Sequence, residues 1–590
     1  MCDKIQENQS KVDMQMLSFK ELKKRIKNCD ENTAGDPKIA ILGDTATQLL
    51  HQAVKGYGIS ENINLNIYEA EYNQIYNEIM FKTSHLYSFN PQYLLLYLST
   101  EKLYEHFCET DNKSNFANET IDTILTYWSA ISESLSCKIL QYTFPEYDDL
   151  IFGNYGCKTP ESFIFQLRKM NLLIMEKAAA NKAVYIIDIC GLQNRLGKEF
   201  FFSEKFYYSA KLSISPEALP YVAKETIEVI KACTGKIKKC IILDLDNTLW
   251  GGVIGDDGMS HIQIGELGIG RAFTDFQRWL KELKKRGIIL AVCSKNNEDT
   301  AKQPFIEHPE MILRLEDIAI FVANWNDKAQ NIRYIQSVLN IGMDSLIFID
   351  DNPFERELVK SMIPEIEVPD LPGDPALYRS YVSAKNYFET ASVSAADAER
   401  TKQYRQEASR TILKAKFESF DDYLKDLDML GTKKPFNEFN ISRISQLTQR
   451  SNQFNLRTIR YTEDEISEIS ASDKHLTLYF NLKDKFGDHG LISVVILKKI
   501  DENTLFIDTW LMSCRVLKRT VEEFIINSIV DLAFENGCKL IIGEYIETGK
   551  NSMVKEIYSE LGFEKESETK FIANIDNFSY NKTFIKNVGE

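Results

Sequence analysis

A run of about twenty apolar residues, the length a membrane helix needs, is absent from this 590-residue sequence. Its apolar stretches stop early, as in YLLLYL at 93–98. The N-terminus, MCDKIQENQSKVDMQ, is polar and mixed in charge, without the apolar core of a secretory leader. Both absences predict a cytoplasmic protein with no membrane partner. An excess of cations is missing too: 70 Lys and Arg stand against 86 Asp and Glu, a net charge of −16. General nucleic-acid binding rests on cationic contacts with phosphates and is excluded, whereas a small anionic substrate in a local pocket is not. The 11 cysteines run from Cys2 to Cys538 without a C-x-x-C pair. That is neither a disulfide framework nor a zinc site, and it predicts reduced thiols, most in the core and one or two reactive. Repeats and low-complexity tracts are lacking.

What is present is length, enough for three or four domains, and an α/β alternation. Residues 1–36 read as a charged helical extension. From 37 to 236 apolar strands such as KIAILGD (38–44), QYLLLYLS (92–99) and AVYIIDI (183–189) alternate with helical stretches. Ser215 and Pro216 are placed to start the helix that closes this unit. A second α/β unit spans 237–370, and PDLPGDP (369–375) marks a break. A polar helical linker covers 371–429, with Ser394 and Asp397 placed as a capping motif. A third unit, 430–590, has strands near 474–481, 490–498, 504–511 and 538–544, with helices over 519–535 and 550–560.

The second unit carries the densest chemistry. In CIILDLDNTLWGG (240–252) an apolar strand runs into Asp244 and Asp246, then breaks at Asn247, Thr248 and a Gly-Gly pair. A continuous apolar run reads as a central parallel strand, and ligand sites lie at the carboxyl ends of such strands. A hairpin-like stretch, VIGDDGMSHIQIG (253–265), and a helix follow. The strand IILAVCSKNN (288–297) then ends on Cys293, Ser294 and Lys295, NWNDK (324–328) ends on Lys328, and SLIFIDDNPFER (345–356) runs into Asp350 and Asp351. Four converging acids repel one another, which a bound Mg²⁺ and a phosphate-binding lysine would relieve.

These residues resemble, in order, the four motifs of the haloacid dehalogenase (HAD) phosphatases: Asp244-x-Asp246-x-Thr248, Ser294, Lys328 and the Asp350-Asp351 pair. The resemblance implies that Asp244 attacks phosphorus and that Asp246 protonates the leaving oxygen and then activates water. It places Thr248, Ser294, Lys295 and Lys328 around the phosphoryl group. Asp350 and Asp351 join Asp244 and the Asp246 carbonyl around Mg²⁺. Only about twenty residues separate the first motif from its helix, too few for a full cap domain, so an open site is expected.

GDHGLISVVIL, WLMSCRVLKRTVEEFIINSIV and NSMVKEIYSELGFE resemble a GNAT-type α+β acyltransferase unit, with Tyr558 and Leu561-Gly562-Phe563 matching its end. Its phosphate-binding turn, Arg515 to Thr520, has Lys518 and Arg519 where glycines would cradle a pyrophosphate, which points to a carrier-borne phosphopantetheine arm rather than coenzyme A. His489 is placed as a base near that arm or as a turn histidine. With QRSNQFNLRT and MSCRVLKR added, the chain from about 37 to 575 is similar to the FkbH-like family. That likeness implies a bifunctional enzyme that loads a glyceryl unit from 1,3-bisphosphoglycerate, a small phosphorylated three-carbon acid, onto a phosphopantetheinylated acyl carrier protein and removes the phosphate, feeding polyketide biosynthesis. Cys293 and Cys514 are equal candidates for an acyl relay, with packing as the alternative for each. The first unit resembles the SGNH-hydrolase fold, with Thr45 at its nucleophile position and Asn154 as a further match. It has no Asp-x-x-His near its end, so docking or shielding is expected there and hydrolysis is not. Two other readings stand: a plain Mg²⁺-dependent phosphatase of small metabolites, and a non-catalytic scaffold.

Overall fold

The computed structural model describes residues 16–28, 37–147, 149–393, 399–414, 417–451, 453–548 and 551–588, without the side chains of Ile412, Arg450 and Cys514. Ser394, Asp397 and most of the N-terminal extension lie outside the described residues. Within that extension α1 (Phe19–Lys27) starts at Ser18, whose hydroxyl accepts the Glu21 N–H while Glu21 bonds back to the Ser18 N–H.

The first sheet is parallel, with order β2-β1-β3-β4-β5: β1 (Lys38–Gly43), β2 (Asn66–Glu69), β3 (Tyr93–Tyr97), β4 (Lys138–Tyr142) and β5 (Val184–Ile187). Alternate residues face opposite cores. Ile39 and Ile41 pack with α2 (Gln48–Ser60) and α3 (Leu219–Thr234), whereas Ala40 and Leu42 join the core on the other face. The helix expected at Ser215 begins at Leu219, because Ser215 instead accepts the Ala218 N–H in a preceding turn (3.2 Å).

The second sheet is also parallel, with order β8-β7-β6-β9: β6 (Cys240–Leu243), β7 (Ile289–Ser294), β8 (Ile320–Ala323) and β9 (Leu346–Ile349). The chain steps from β6 through β7 to β8 and returns to the far side of β6 as β9. Its switch point therefore falls between β6 and β9, where a ligand crevice opens at the strand ends. Helices α4 (Gly270–Lys285), α5 (Glu298–Glu307), α6 (Lys328–Leu339) and α7 (Pro353–Met362) cover the faces. The hairpin expected over 253–265 is a helical turn, Ile254–Asp257, and one bridge, Gly251 to Gln263. Side chains take the strand-forming amides there: Val253 N–H bonds Asp257 and Ile254 N–H bonds Asp246. Gly252, at φ 91°, makes the reversal that an L side chain would strain. Tyr378, Val382 and Phe388 pack in this unit's core, and so does Ala408 of α8 (Arg400–Lys414).

The third sheet has the order β16-β17-β15-β14-β13-β12-β10-β18. Its strands are β10 (Leu430–Lys434), β11 (Phe454–Asn455), β12 (His475–Asp484), β13 (Gly487–Lys499), β14 (Thr504–Met512), β15 (Leu540–Glu544), β16 (Glu564–Lys565), β17 (Lys570–Asn574) and β18 (Lys586–Asn587). α9 (Val521–Glu535) packs on it. β14 and β15 pair in parallel only over Thr504–Phe506 and then diverge. β11 enters this fork and pairs with the far end of β14. The chain is thus α/β in its first two units, and the third is an α+β unit built on one mixed sheet.

Candidate active site

The ends of β6 and β9 bring Asp244, Asp350 and Asp351 together, with one carboxylate oxygen from each within 4.8 Å of the others. Lys328, the first residue of α6, reaches under them. Its Nζ is 3.0 Å from Asp244 Oδ2 and also binds Asp350 Oδ2. Asp350 is fully buried and Lys328 nearly so. Burial, then the Asp244 charge, pushes the Asp350 carboxyl up to about 7 against the pull of Lys328. Burial, then Asp244, also raises Asp351. Burial pulls the Lys328 ammonium down, but the two carboxylates outweigh it and hold it above its usual range. Thr248 Oγ1 accepts the Asp351 N–H (3.1 Å), and Arg356 donates to the carbonyls of Asp350 (2.9 Å) and Asp351 (2.6 Å), which fixes the β9 loop.

Among the described residues, Asp244 Oδ1 is buried without a hydrogen-bond partner. An orphaned carboxylate oxygen beside two further acids fits a hard divalent cation, which takes oxygen ligands and would offset the remaining repulsion. The Asp246 side chain is outside this cluster. Its Oδ1 accepts from the Trp250 indole N–H (2.9 Å) and the Ile254 N–H (3.0 Å), and its Oδ2 from Asn296 Nδ2 (2.9 Å). Burial raises the Asp246 carboxyl above the usual range, favouring a proton there.

Ser294 is buried at the end of β7. Lys295 pairs with Glu355 (2.6 Å), so the structure gives it an acid rather than a free phosphate-facing ammonium. For Cys293 the geometry favours the packing alternative: its thiol is fully buried, points at the Lys328 carbonyl (3.8 Å), and is pushed far up by burial. Burial disfavours the thiolate that an acyl relay needs, and Cys293 packs in the core of this unit. The Cys514 side chain lies outside the described residues.

The third-unit candidates are dispersed. His489 Nε2 lies 3.1 Å from Asp484, which also holds Arg410 of α8 in a two-pronged pair. Arg515 donates to Gln403 (2.6 Å) and Arg519 binds Glu407, both on α8. These cations join the third unit to α8, a contact between residues distant in sequence that no local pattern marks. Lys518 is exposed, and its N–H donates to Glu522 (2.9 Å) at the head of α9. Lys518 and Thr520 both sit at φ 59°, the conformation glycine would relieve. Tyr558 is fully buried against Trp510, Phe563 and Phe571. In the first unit Thr45 is buried and donates to the Lys211 carbonyl (2.5 Å), and Asn154 is exposed. Sequence reasoning passed over Trp250, Asn296 and Arg356 as site residues, although each stands inside a quoted motif.

Residues 38–231 match the family model described as FkbH, N-terminal domain. A solved structure of the N-terminal part of BF1531 from Bacteroides fragilis, containing a phosphatase domain complexed with Mg, is 47% identical. That match covers 64% of this chain and 100% of the other, with a TM-score of 0.60. The ribosomal-protein-S18-alanine N-acetyltransferase from Escherichia coli matches 24% of this chain and 91% of its own at 12% identity and TM-score 0.20. The spermidine N-acetyltransferase from Vibrio cholerae, solved with CoA and spermine, matches 25% and 96% at 14% identity and TM-score 0.20. No curated protein matches the chain. At 47% identity over the whole of the BF1531 structure, with the FkbH model matching its first unit, the chain belongs to the FkbH-like family, whose second unit is a HAD-like phosphatase.

Proposed function

We propose that the chain is a Mg²⁺-dependent phosphatase working through an aspartyl-phosphate, and that its substrate is the phosphoglyceryl group of an acyl carrier protein that it loads from 1,3-bisphosphoglycerate. The observation that carries the phosphatase reading is the buried cluster in which Lys328 spans Asp244 and Asp350 while Asp244 Oδ1 has no partner among the described residues. Asp244, Asp350 and Asp351 would hold Mg²⁺, which when bound neutralises charge on the phosphoryl group. Asp244 attacks phosphorus as the bond to the leaving oxygen breaks, and Asp246 delivers its proton to that oxygen. Water then attacks the aspartyl-phosphate, giving its proton to Asp246 and restoring the Asp244 carboxylate. Lys328 and Thr248 keep the acid ends in place. The glyceryl-transfer half is supported by family membership and by the minimal cap, which leaves room for a carrier-borne arm.

A plain phosphatase of small metabolites is the second reading. It is favoured by the buried Cys293 and by the engagement of Arg515, Arg519 and His489 inside the molecule. Incubation with 1,3-bisphosphoglycerate and a phosphopantetheinylated carrier should give a carrier heavier by one glyceryl group, measured by intact mass. Turnover of free phosphate esters with no loading of any carrier would select the second reading. A folded Asp244→Asn variant should release no phosphate with either substrate; wild-type release would refute both readings.

A further inference from the structure

The quoted motifs TLWGG and CSKNN contain two side chains that the mechanism above leaves unused, and both end on the same carboxylate. Trp250 is fully buried, and its indole N–H reaches Asp246 Oδ1 at 2.9 Å. Asn296, two residues beyond Ser294 and nearly buried, donates Nδ2 to Asp246 Oδ2 at 2.9 Å. The Ile254 N–H adds a second donor to Oδ1 at 3.0 Å. Both oxygens are therefore held, from two different strand ends.

The clamp is itself fixed. Asn296 cannot turn its amide without losing the Asn297 N–H, which its Oδ1 accepts at 3.1 Å. Asn297 in turn caps α5 through the N–H groups of Asp299 (3.1 Å) and Thr300 (3.3 Å). Trp250 is locked by packing against Phe305 of the same helix, with ring centroids 6.0 Å apart. Helix α5 thus stands behind both donors. The carboxylate they grip is two residues from the nucleophile, and general acid–base transfer depends on geometry before it depends on anything else.

We infer that Asn296 and Trp250 are positioning residues for phosphoryl transfer, holding the Asp246 carboxyl in one orientation for both proton transfers. This rests on the phosphatase reading above. In the first step a bond forms from Asp244 to phosphorus, the bond from phosphorus to the leaving oxygen breaks, and the Asp246 proton goes to that oxygen. An alkoxide needs that proton to leave. A nitrophenolate leaves without it.

The test is a comparison of kcat/KM for an alkyl phosphate, glycerol 3-phosphate, with that for p-nitrophenyl phosphate, both with Mg²⁺ and the full chain. General acid catalysis contributes about 10²–10⁴ in rate. Asn296→Ala should therefore lower kcat/KM for the alkyl ester by about 10–100-fold, with a fall at least tenfold smaller for the aryl ester. Trp250→Phe keeps an aromatic six-membered ring against Phe305, loses the N–H together with the fused five-membered ring, and should show the same split. Should Asn296→Ala not fold, judged by circular dichroism, Asn296→Ser is measured in its place. Equal falls for both esters, or no fall, would overturn the inference, since lost packing or a spectator amide does not distinguish leaving groups. Failure of the phosphatase reading looks different: wild-type protein would then turn over neither ester.

Discussion

Lys328 is the residue on which the acidic site balances. Among the described residues it is the one cation within 4 Å of the Asp244 and Asp350 carboxylates, and its side chain is 4% exposed. Removing one partner of a buried pair costs about 3–5 kcal/mol, because the other charge stays buried and unpaired. Lys328→Met should therefore lower the melting temperature in EDTA. A cation bound among the acids stabilises in proportion to its occupancy, so Mg²⁺ should raise the melting temperature of the variant more than that of the wild type. Phosphate release should fall at least about 100-fold, since on the proposed function the variant loses the cation that holds Asp244 and Asp350 in place. Equal melting temperatures for both proteins in EDTA would show that Lys328 does not neutralise these acids.

At the scale of elements, α8 is the piece with the most at stake, because it fastens the third unit to the second. Tyr404 and Ala408 pack against the second unit, while Gln403, Glu407 and Arg410 bond Arg515, Arg519 and Asp484. The Asp484 carboxyl is held far below its usual range: burial would raise it, but His489 and Arg410 outweigh burial. Arg410→Ala should destabilise the third unit at pH 7 by about 3–5 kcal/mol. The lowered Asp484 contributes stability that is present above the ordinary carboxylate range and lost as pH falls through it. In the variant Asp484 takes up a proton more readily, so the gap to wild type should narrow between pH 7 and pH 4 in urea unfolding followed by fluorescence. A gap that is constant with pH would mean that packing, not the charge pair, holds α8. Elements differed in how legible they were. β6, β7 and β9 could be read as strands because their apolar runs are buried on both faces. In β4 Gln141 interrupts the apolar run, and only the fold reveals that Gln141 is fully buried and accepts the Trp128 indole N–H (3.1 Å). The helix expected over 550–560 breaks into Ser552–Val554 and Ile557–Glu560. Buried Asn551 spends its side chain there on the carbonyls of Asn455 and Ile546. The acids of the site were legible for the opposite reason: each ends an apolar strand, so local sequence and global fold agree on its place.

For the molecule as a whole, the question is whether the third unit takes a free nucleotide cofactor, as the resemblance of its motifs to a GNAT-type unit implies. Three independent features oppose it. The fork between β14 and β15 is filled by the chain itself: Leu456 N–H bonds the Trp510 carbonyl (3.3 Å), and the Leu456 carbonyl accepts from Ile546 (2.8 Å). Arg457 rivets that segment to both sides through Glu544 (2.7 Å) and Asp508 (2.8 Å). An extended amide chain such as pantetheine would need the same edge of β14. At the head of α9, where a helix N-terminus could receive a pyrophosphate, buried Glu522 already accepts the Lys518 N–H, and a second anion would meet its charge. The neighbouring Arg519 is committed to α8 through Glu407. Millimolar coenzyme A or acetyl-CoA should therefore leave the melting temperature of the full chain unchanged and show no saturable heat by calorimetry. A cofactor bound at 100 times its Kd stabilises by about 2.7 kcal/mol, which a thermal scan would register, so a positive shift with saturable binding would mean that β11 leaves the fork. Without that, the third unit's established part is to brace α8 through Arg515, Arg519 and Asp484.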